Sequence, residues 1–172
     1  MKKEREHKFD NEDALYQAVN LIFYTMVGVP LMVFLYLYLE IKDGKFFVDA
    51  PDVDLHLALL ITIPIFILIN VVLSYVFYER HIKSAQPTAQ LRDKLQLFYK
   101  ASLLKYSFLE AATIASLVGL FLTTELVYVI LYLFVLLIYS LNRPTPFRFR
   151  KAMKIKTYPP TAKSLDKDKR LS

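Results

Sequence analysis

Two long stretches of the chain carry no formal charge, and they constrain the fold more than any other feature. Residues 14–39 and 55–78 contain no Asp, Glu, Lys or Arg, and the charged residues are gathered between such stretches. A helix needs about 20 apolar residues to cross the roughly 30 Å hydrocarbon core of a bilayer. Charges that alternate with long apolar blocks are typical of membrane spans. The sequence therefore predicts a membrane protein whose first two spans cover about 14–40 and 55–78.

The second half of the chain predicts two more spans, at about residues 105–124 and 126–142. Only a Thr-Thr-Glu turn separates them. Together they are too long for one crossing, so we expect a helical hairpin in which Thr123 or Thr124 caps the fourth helix. The predicted fold class is an all-α membrane protein with four transmembrane helices in two antiparallel hairpins. Helical spacing of apolar residues at 91–104 extends the third helix into the cytoplasm.

The basic residues are distributed on one side of the predicted membrane domain. All but two of the 22 Lys and Arg residues lie before the first span, between the second and third, or after the fourth; the exceptions are Lys42 and Lys45. The positive-inside rule places those three segments in the cytoplasm. The prediction is a cytoplasmic N-terminal segment at 1–13, a transmembrane domain at 14–142 and a basic cytoplasmic tail at 143–172. The predicted location is a bacterial inner membrane, with several crossings and both termini cytoplasmic.

Tyrosines are frequent near the ends of the predicted spans. A belt of aromatic side chains at the membrane–water interface is the expected reason. The residues concerned are Tyr16, Tyr36, Tyr38, Tyr75, Tyr78, Tyr106, Tyr128 and Tyr139.

The composition does not indicate an enzyme, a metal centre or a cofactor site. The chain has no cysteine, 3 glycines, and 3 histidines that lie far apart. A nucleophile with its base, a pair of catalytic carboxylates or a cluster of metal ligands cannot be assembled from this pattern. We therefore expect no catalytic residues, no metal and no cofactor.

The tail begins with a polybasic segment directly after the fourth span. Residues 143–156 contain six basic residues and no acid, with apolar residues between them. Next to a span, this pattern is typical of binding to the anionic cytoplasmic leaflet, at about 1 kcal/mol per basic residue. We expect membrane lipids rather than nucleic acid as the partner. The predicted headgroup contacts are Arg143, Arg148, Arg150, Lys151, Lys154 and Lys156.

Glu110 is a lone carboxylate inside the third predicted span. It lies five residues beyond Lys105, which places it about 7–8 Å deeper, in the cytoplasmic third of the bilayer. A polar group in lipid needs a protein partner because water is absent. We therefore expect a polar layer in the cytoplasmic half of the bundle, with Glu110 hydrogen-bonded to Asn20 or Asn70. The predicted members of the layer are Glu110, Asn20, Asn70, Ser74 and Ser107.

One stretch of the sequence, and the chain as a whole, resemble known membrane proteins. The stretch LKYSFLEAATIASLVGLFLT at 104–123 resembles the carboxylate-bearing helix of rotary ATPase c subunits, which implies an ion-binding role for Glu110. The preceding loop has Ala85 where those subunits have an arginine. The whole chain is similar to bacterial four-span membrane proteins of unassigned function, through Leu109 to Ala112 and through Arg143 to Thr145. The second resemblance implies a four-span fold without a particular activity.

Three interpretations of Glu110 stay open at this point. It can join helices structurally, carry protons or another cation, or face a partner protein. The charge-free stretches contain no Asp, Glu, Lys or Arg to form a relay through the outer half of the spans, which favours the structural interpretation. The preferred function is a non-enzymatic integral membrane protein, structural or accessory, with a larger membrane complex or a homo-oligomer as its setting. The alternative is a proton- or cation-handling channel, or a c-subunit-like protein, that uses Glu110.

Overall fold

The chain is helical throughout the part that the structure describes. The computed structural model describes residues 12–44, 52–85 and 91–153. These residues form α1 (Glu12–Lys42), α2 (Val53–Ala85), α3 (Leu91–Thr123), α4 (Leu126–Leu141) and α5 (Pro146–Ala152), without a strand. The predicted all-α class is confirmed for this part of the chain. The short α5 lies within the predicted basic tail and is not one of the predicted helices.

Three of the described helices are long and apolar enough to cross a membrane. The qualifying segments are Leu15–Lys42, Val53–Ala85 and Asp93–Thr123. Helix α4 is also apolar but has 16 residues, about 24 Å at 1.5 Å per residue. The three long helices indicate a membrane protein. The fourth crossing, the two antiparallel hairpins and the cytoplasmic extension of the third helix stay predictions.

Large apolar side chains cover the outer surface of these helices. Met32 is 75% exposed, Leu21 70% and Leu68 60%. A soluble monomer rarely exposes contiguous apolar patches of more than a few hundred Å². In a bilayer the same surface faces hydrocarbon, while the backbone polar groups are satisfied within each helix. The exposed apolar side chains are therefore what is expected of three helices that cross a membrane.

Helix α3 is the centre of the bundle and packs against α1, α2 and α4. Leu109, Ala112, Ser116 and Leu120 are buried along it. Their spacing of three or four residues places them on one face of the helix. On α4 the buried residues Tyr128, Tyr132, Val135 and Tyr139 follow the same spacing. An aromatic face of α4 is therefore opposed to a face of α3 that contains small residues.

Close approach of α3 and α4 depends on Gly119. A Cβ atom at this position would overlap the ring of Tyr128, whose Cζ atom lies 2.8 Å from the Cβ position. Ala112 and Ser116 precede Gly119 on the same face and are also buried. Small residues allow helices in membranes to approach closely. The part of the α3–α4 contact around Gly119 is thus determined by side-chain size.

The turn between α3 and α4 differs from the predicted capping. The N-cap of α4 is Glu125, whose side chain makes no capping hydrogen bond. Thr123 donates through its hydroxyl to the Gly119 carbonyl (2.8 Å) and accepts from the Glu125 N–H (3.3 Å). Thr124 adopts a φ of 55°, as residues that end a helix often do. The prediction that Thr123 or Thr124 caps α4 is wrong, because both threonines serve to end α3.

Helix α5 begins with residues that are typical of a helix start, and its end packs against the beginning of α3. The Thr145 hydroxyl accepts from the Arg148 N–H at 3.4 Å, as an N-cap residue does. Pro146 occupies the first helical position, where its missing N–H costs nothing. At the other end Met153 is fully buried, and its carbonyl accepts from Lys94 Nζ at 3.4 Å. The chain after α4 therefore covers one end of the bundle.

Candidate functional site

Three members of the predicted polar layer are satisfied by their own helices. Asn70, Ser74 and Ser107 each donate to a backbone carbonyl three or four residues earlier, at 2.9, 2.7 and 3.0 Å. Such local bonds are a common way for polar side chains to be paired within a helix. The Oδ1 atom of Asn20 is buried without a hydrogen-bond partner among the described residues. These four side chains are therefore not joined to one another.

Glu110 makes its hydrogen bond across the α3–α4 contact. The Tyr139 hydroxyl lies 3.1 Å from Glu110 Oε2 and 3.0 Å from the Tyr106 carbonyl oxygen. The predicted bond from Glu110 to Asn20 or Asn70 is wrong, because Asn70 donates to its own helix and Tyr139 supplies the donor for the carboxylate. The depth of this group in the bilayer stays a prediction.

Asn142 joins three helices at the end of α4. Its Oδ1 accepts from Lys105 Nζ at 2.6 Å. Its Nδ2 donates to the Tyr75 hydroxyl at 2.6 Å and to the Ile138 carbonyl at 2.7 Å. Its own carbonyl accepts from the Tyr106 hydroxyl at 3.1 Å. Since both side-chain polar atoms are paired, one buried amide connects α2, α3 and α4.

Tyr106 and Tyr139 lie between Asn142 and Glu110: the Tyr106 hydroxyl donates to the Asn142 carbonyl, and the Tyr139 hydroxyl contacts the Tyr106 carbonyl and Glu110. The rings of Tyr106 and Tyr139 are stacked with centroids 6.1 Å apart. We call the set formed by Tyr75, Lys105, Tyr106, Glu110, Tyr139 and Asn142 the polar network. Its side-chain hydrogen bonds join α2, α3 and the end of α4.

Lys105 is a buried cation in this network. Its residue is 7% exposed. The ammonium nitrogen lies 4.5 Å from the ring centroid of Tyr75 and 4.6 Å from that of Tyr78, within the range of cation–π attraction. No carboxylate of the described residues forms an ion pair with it. Lys105 is thus oriented by neutral groups, and its charge is not balanced by an acid in this part of the chain.

Lys105 lies in the wall of a cavity of about 460 Å³. Residues of α2, α3, α5 and the end of α4 line it. The lining includes one acid, Glu79, whose carboxylate lies 3.4 Å from Lys83 Nζ. The basic residues of the lining are Lys83, Lys105, Arg143, Arg148 and Lys151. We call this space the Lys105 cavity; its electrostatic character is strongly positive.

The predicted headgroup residues divide between this cavity and residues that are not described. Arg143, Arg148 and Lys151 line the Lys105 cavity. The side chain of Arg150 and the whole of Lys154 and Lys156 lie outside the described residues. Contact of any of the six with lipid stays a prediction.

The contacts of the polar network are not predicted by the sequence. The sequence alone predicts Lys105 among the basic residues between the second and third spans, Asn142 at the end of the fourth span, and the tyrosines in an interfacial belt. Tyr106, Tyr128 and Tyr139 are instead buried within the bundle. Helical spacing was the available signal, since Tyr106 and Glu110 are four residues apart and so share a face.

Comparison with known proteins does not place the chain in a family. No protein-family model matches the chain, and no curated protein or solved structure matches it either. The resemblances to four-span proteins and to c subunits stay predictions. The function is therefore argued from the geometry of the polar network and the Lys105 cavity.

Proposed function

We propose that the chain is a non-enzymatic integral membrane protein with a structural or accessory role, which holds its basic end against the anionic cytoplasmic leaflet of a bacterial inner membrane. One observation carries the proposal. Five basic residues surround a cavity at one end of the bundle, whereas the long helices expose apolar side chains. A cationic end and an apolar surface fit a bilayer in one orientation, with the basic end at the cytoplasmic headgroups.

The proposed topology has four crossings in two antiparallel hairpins, with both termini in the cytoplasm. Contacts at two separate places support it. His56 Nε2 lies 3.5 Å from Glu125 Oε1, which brings the start of α2 to the α3–α4 turn. Asn142 contacts Tyr75 and Lys105, which brings the end of α4 to the later part of α2 and the earlier part of α3.

A crossing by α4 requires the membrane to adapt to a short helix. The 16 residues of α4 give about 24 Å, against a hydrocarbon core of roughly 30 Å. Local thinning of the bilayer and snorkelling of flanking side chains accommodate short spans. Arg143 lies two residues beyond the end of α4 and is exposed, so its long side chain suits that role.

Anionic lipids are the proposed partners, and a second copy or another membrane protein is the other setting for this role. The outer side of α4 exposes Ile130, Leu133 and Leu137, which lipid chains or another helix would cover equally well. Light scattering of the purified protein in detergent separates these settings. A polypeptide mass of 20.1 kDa indicates that lipid covers this face, and a multiple of it indicates a homo-oligomer.

The alternative is a role for Glu110 in handling protons or other cations. It is favoured by the half-buried position of the carboxylate, which Tyr139 contacts through Oε2. A carboxylate that retains some exposure can exchange a proton more readily than one that is fully enclosed. The c-subunit resemblance bears on the same residue.

Proton flux in liposomes distinguishes the two functions. The purified chain is reconstituted with a pH-sensitive dye inside the vesicles, and a membrane potential is imposed. A structural role predicts the same flux for empty vesicles, the wild type and Glu110→Gln. The matched control is Glu40→Gln, which removes an acid from α1. A wild-type flux that Glu110→Gln abolishes and Glu40→Gln preserves would establish the alternative and overturn the structural role.

A further inference from the structure

The Lys105 cavity holds more positive charge than the described part of the chain neutralises. Glu79 is the acidic residue in the lining, and it pairs with Lys83. Lys105, Arg143, Arg148 and Lys151 have no ion pair with a described carboxylate. Like charges that share a cavity repel one another, more strongly where the surroundings are apolar. An anion in the cavity would remove that repulsion.

We infer that the Lys105 cavity binds a phosphate group. Lys105 contributes a buried ammonium that Asn142 holds at 2.6 Å, so the cation is positioned before any ligand arrives. Arg143 and Arg148 add two guanidinium groups to the lining, and the guanidinium fork matches the geometry of phosphate oxygens. A fixed ammonium and two guanidinium groups form a set of donors typical of phosphate recognition.

The remaining lining suits a small phosphate ester. Ser102 and Tyr78 add hydroxyl groups, and Ile82 and Phe98 add apolar surface. A volume of about 460 Å³ lies within the range of small-ligand pockets, roughly 300–1,000 Å³. The cavity can therefore enclose a phosphate with a short polar substituent. A quaternary ammonium substituent is disfavoured, because the surrounding basic side chains repel it.

Two sources supply this chemistry, the headgroup of an anionic phospholipid and a soluble phosphate ester. The lipid source rests on the proposed function, since it requires this end of the bundle to lie at the level of the headgroups. The soluble source requires only that the cavity be open to water. The phosphate site is the inference in both cases, and the experiment separates its sources.

The test measures ligand binding to the full-length chain, purified and stripped of lipid in a non-ionic detergent. Native mass spectrometry follows the retention of phosphatidylglycerol and of phosphatidylcholine with the same acyl chains. A second series uses glycerol 3-phosphate, alone and in competition with phosphatidylglycerol. We expect phosphatidylglycerol to bind more tightly than phosphatidylcholine, whose choline group the cavity repels.

Variants connect the binding to the cavity. Lys105→Gln and Arg148→Gln should each weaken the retention of the phosphate ligand about tenfold, equivalent to about 1.4 kcal/mol. Lys100→Gln is the matched control, because Lys100 is an exposed residue of the same helix that does not line the cavity. It removes the same charge and should leave the affinity unchanged. Arg148 is exposed, so Arg148→Gln remains informative if Lys105→Gln fails to fold.

The outcomes separate the sources and define failure. Retention of the lipid without binding of glycerol 3-phosphate identifies a headgroup site, and competition by glycerol 3-phosphate identifies a site for soluble phosphate esters. Equal retention of the two lipids without glycerol 3-phosphate binding, or wild-type affinity in Arg148→Gln, overturns the inference. A chain that inserts with the proposed topology but shows no phosphate preference refutes the site alone. Phosphate binding by a chain with another topology refutes the proposed function alone.

Discussion

The stretch of α3 from Lys105 to Thr123 has two halves that hold α4 by different physical means. In the half nearer Leu91, Lys105, Tyr106 and Glu110 reach α4 through side-chain hydrogen bonds. In the half nearer Thr123, Gly119 allows the ring of Tyr128 to approach the backbone. The Ser116 hydroxyl in that half donates to its own helix at 2.9 Å and so takes no part in joining α3 to α4.

The two halves depend on different properties of their side chains. A hydrogen-bonded contact fails when a partner is lost, because an unpaired polar group in lipid is costly. A closely packed contact fails when a side chain grows, because a dense interface has no room for added atoms. The polar half of α3 should therefore be sensitive to partners, and the packed half should be sensitive to volume.

Removing the amide of Asn142 should give the largest loss of stability. Asn142→Ala leaves the Lys105 ammonium and the Tyr75 hydroxyl without the partner they share, at a cost of about 3 kcal/mol in the free energy of unfolding. Steric trapping in bicelles measures this quantity. Leu141→Ala is the control, since Leu141 is 62% exposed. Equal effects of the two variants would contradict a network centred on Asn142.

Adding one methyl group at Gly119 should have the next largest effect. Gly119→Ala places a Cβ atom against the ring of Tyr128 and should reduce the free energy of unfolding by about 2 kcal/mol. Gly28→Ala is the matched control, because its Cβ atom would have no neighbour within 4 Å. The same unfolding measurement applies. If the two variants are equally stable, α3 and α4 do not pack through Gly119.

Loss of the Tyr139 hydroxyl should cost least among these changes. Tyr139→Phe keeps the ring and its stacking on Tyr106 but removes the single hydroxyl that lies within hydrogen-bond distance of both Glu110 and the Tyr106 carbonyl. We expect a loss of about 1 kcal/mol in the free energy of unfolding. Tyr36→Phe, at a residue 62% exposed, should have no measurable effect. If Tyr139→Phe leaves the free energy of unfolding unchanged, this end of the network does not stabilise the bundle.

The positions of the helices could be predicted from the sequence, but the side-chain contacts between them could not. The charge-free residues 14–39 predicted a helix, and α1 covers Glu12–Lys42. The partner of Glu110 depends on how α3 and α4 are rotated about their axes, which depth along a span does not specify. Asn70 was placed near Glu110 by depth alone, and it donates to its own helix instead. Rotation is set by packing, here by the fit of Gly119 against Tyr128.

The candidate cavity could be predicted only in part. The basic residues after α4 were recognised as a cluster, and three of them line the Lys105 cavity. The turn that brings Arg148 and Lys151 to the cavity begins with Thr145 and Pro146, which are ordinary signals for the start of a helix. Their consequence depends on tertiary contacts, because α5 is short and is held by the buried Met153 and its bond to Lys94.

Orientation in the membrane is the claim on which the proposed function depends most directly. The chain contains no cysteine, so single cysteines report their own positions. Ser84→Cys lies near the basic end of the bundle, and Asp52→Cys precedes α2; both residues are exposed. Intact cells that express each variant are treated with a maleimide that does not cross membranes. The proposed orientation predicts labelling of Asp52→Cys in intact cells and of Ser84→Cys only after the membrane is permeabilised. Labelling of Ser84→Cys in intact cells would contradict it.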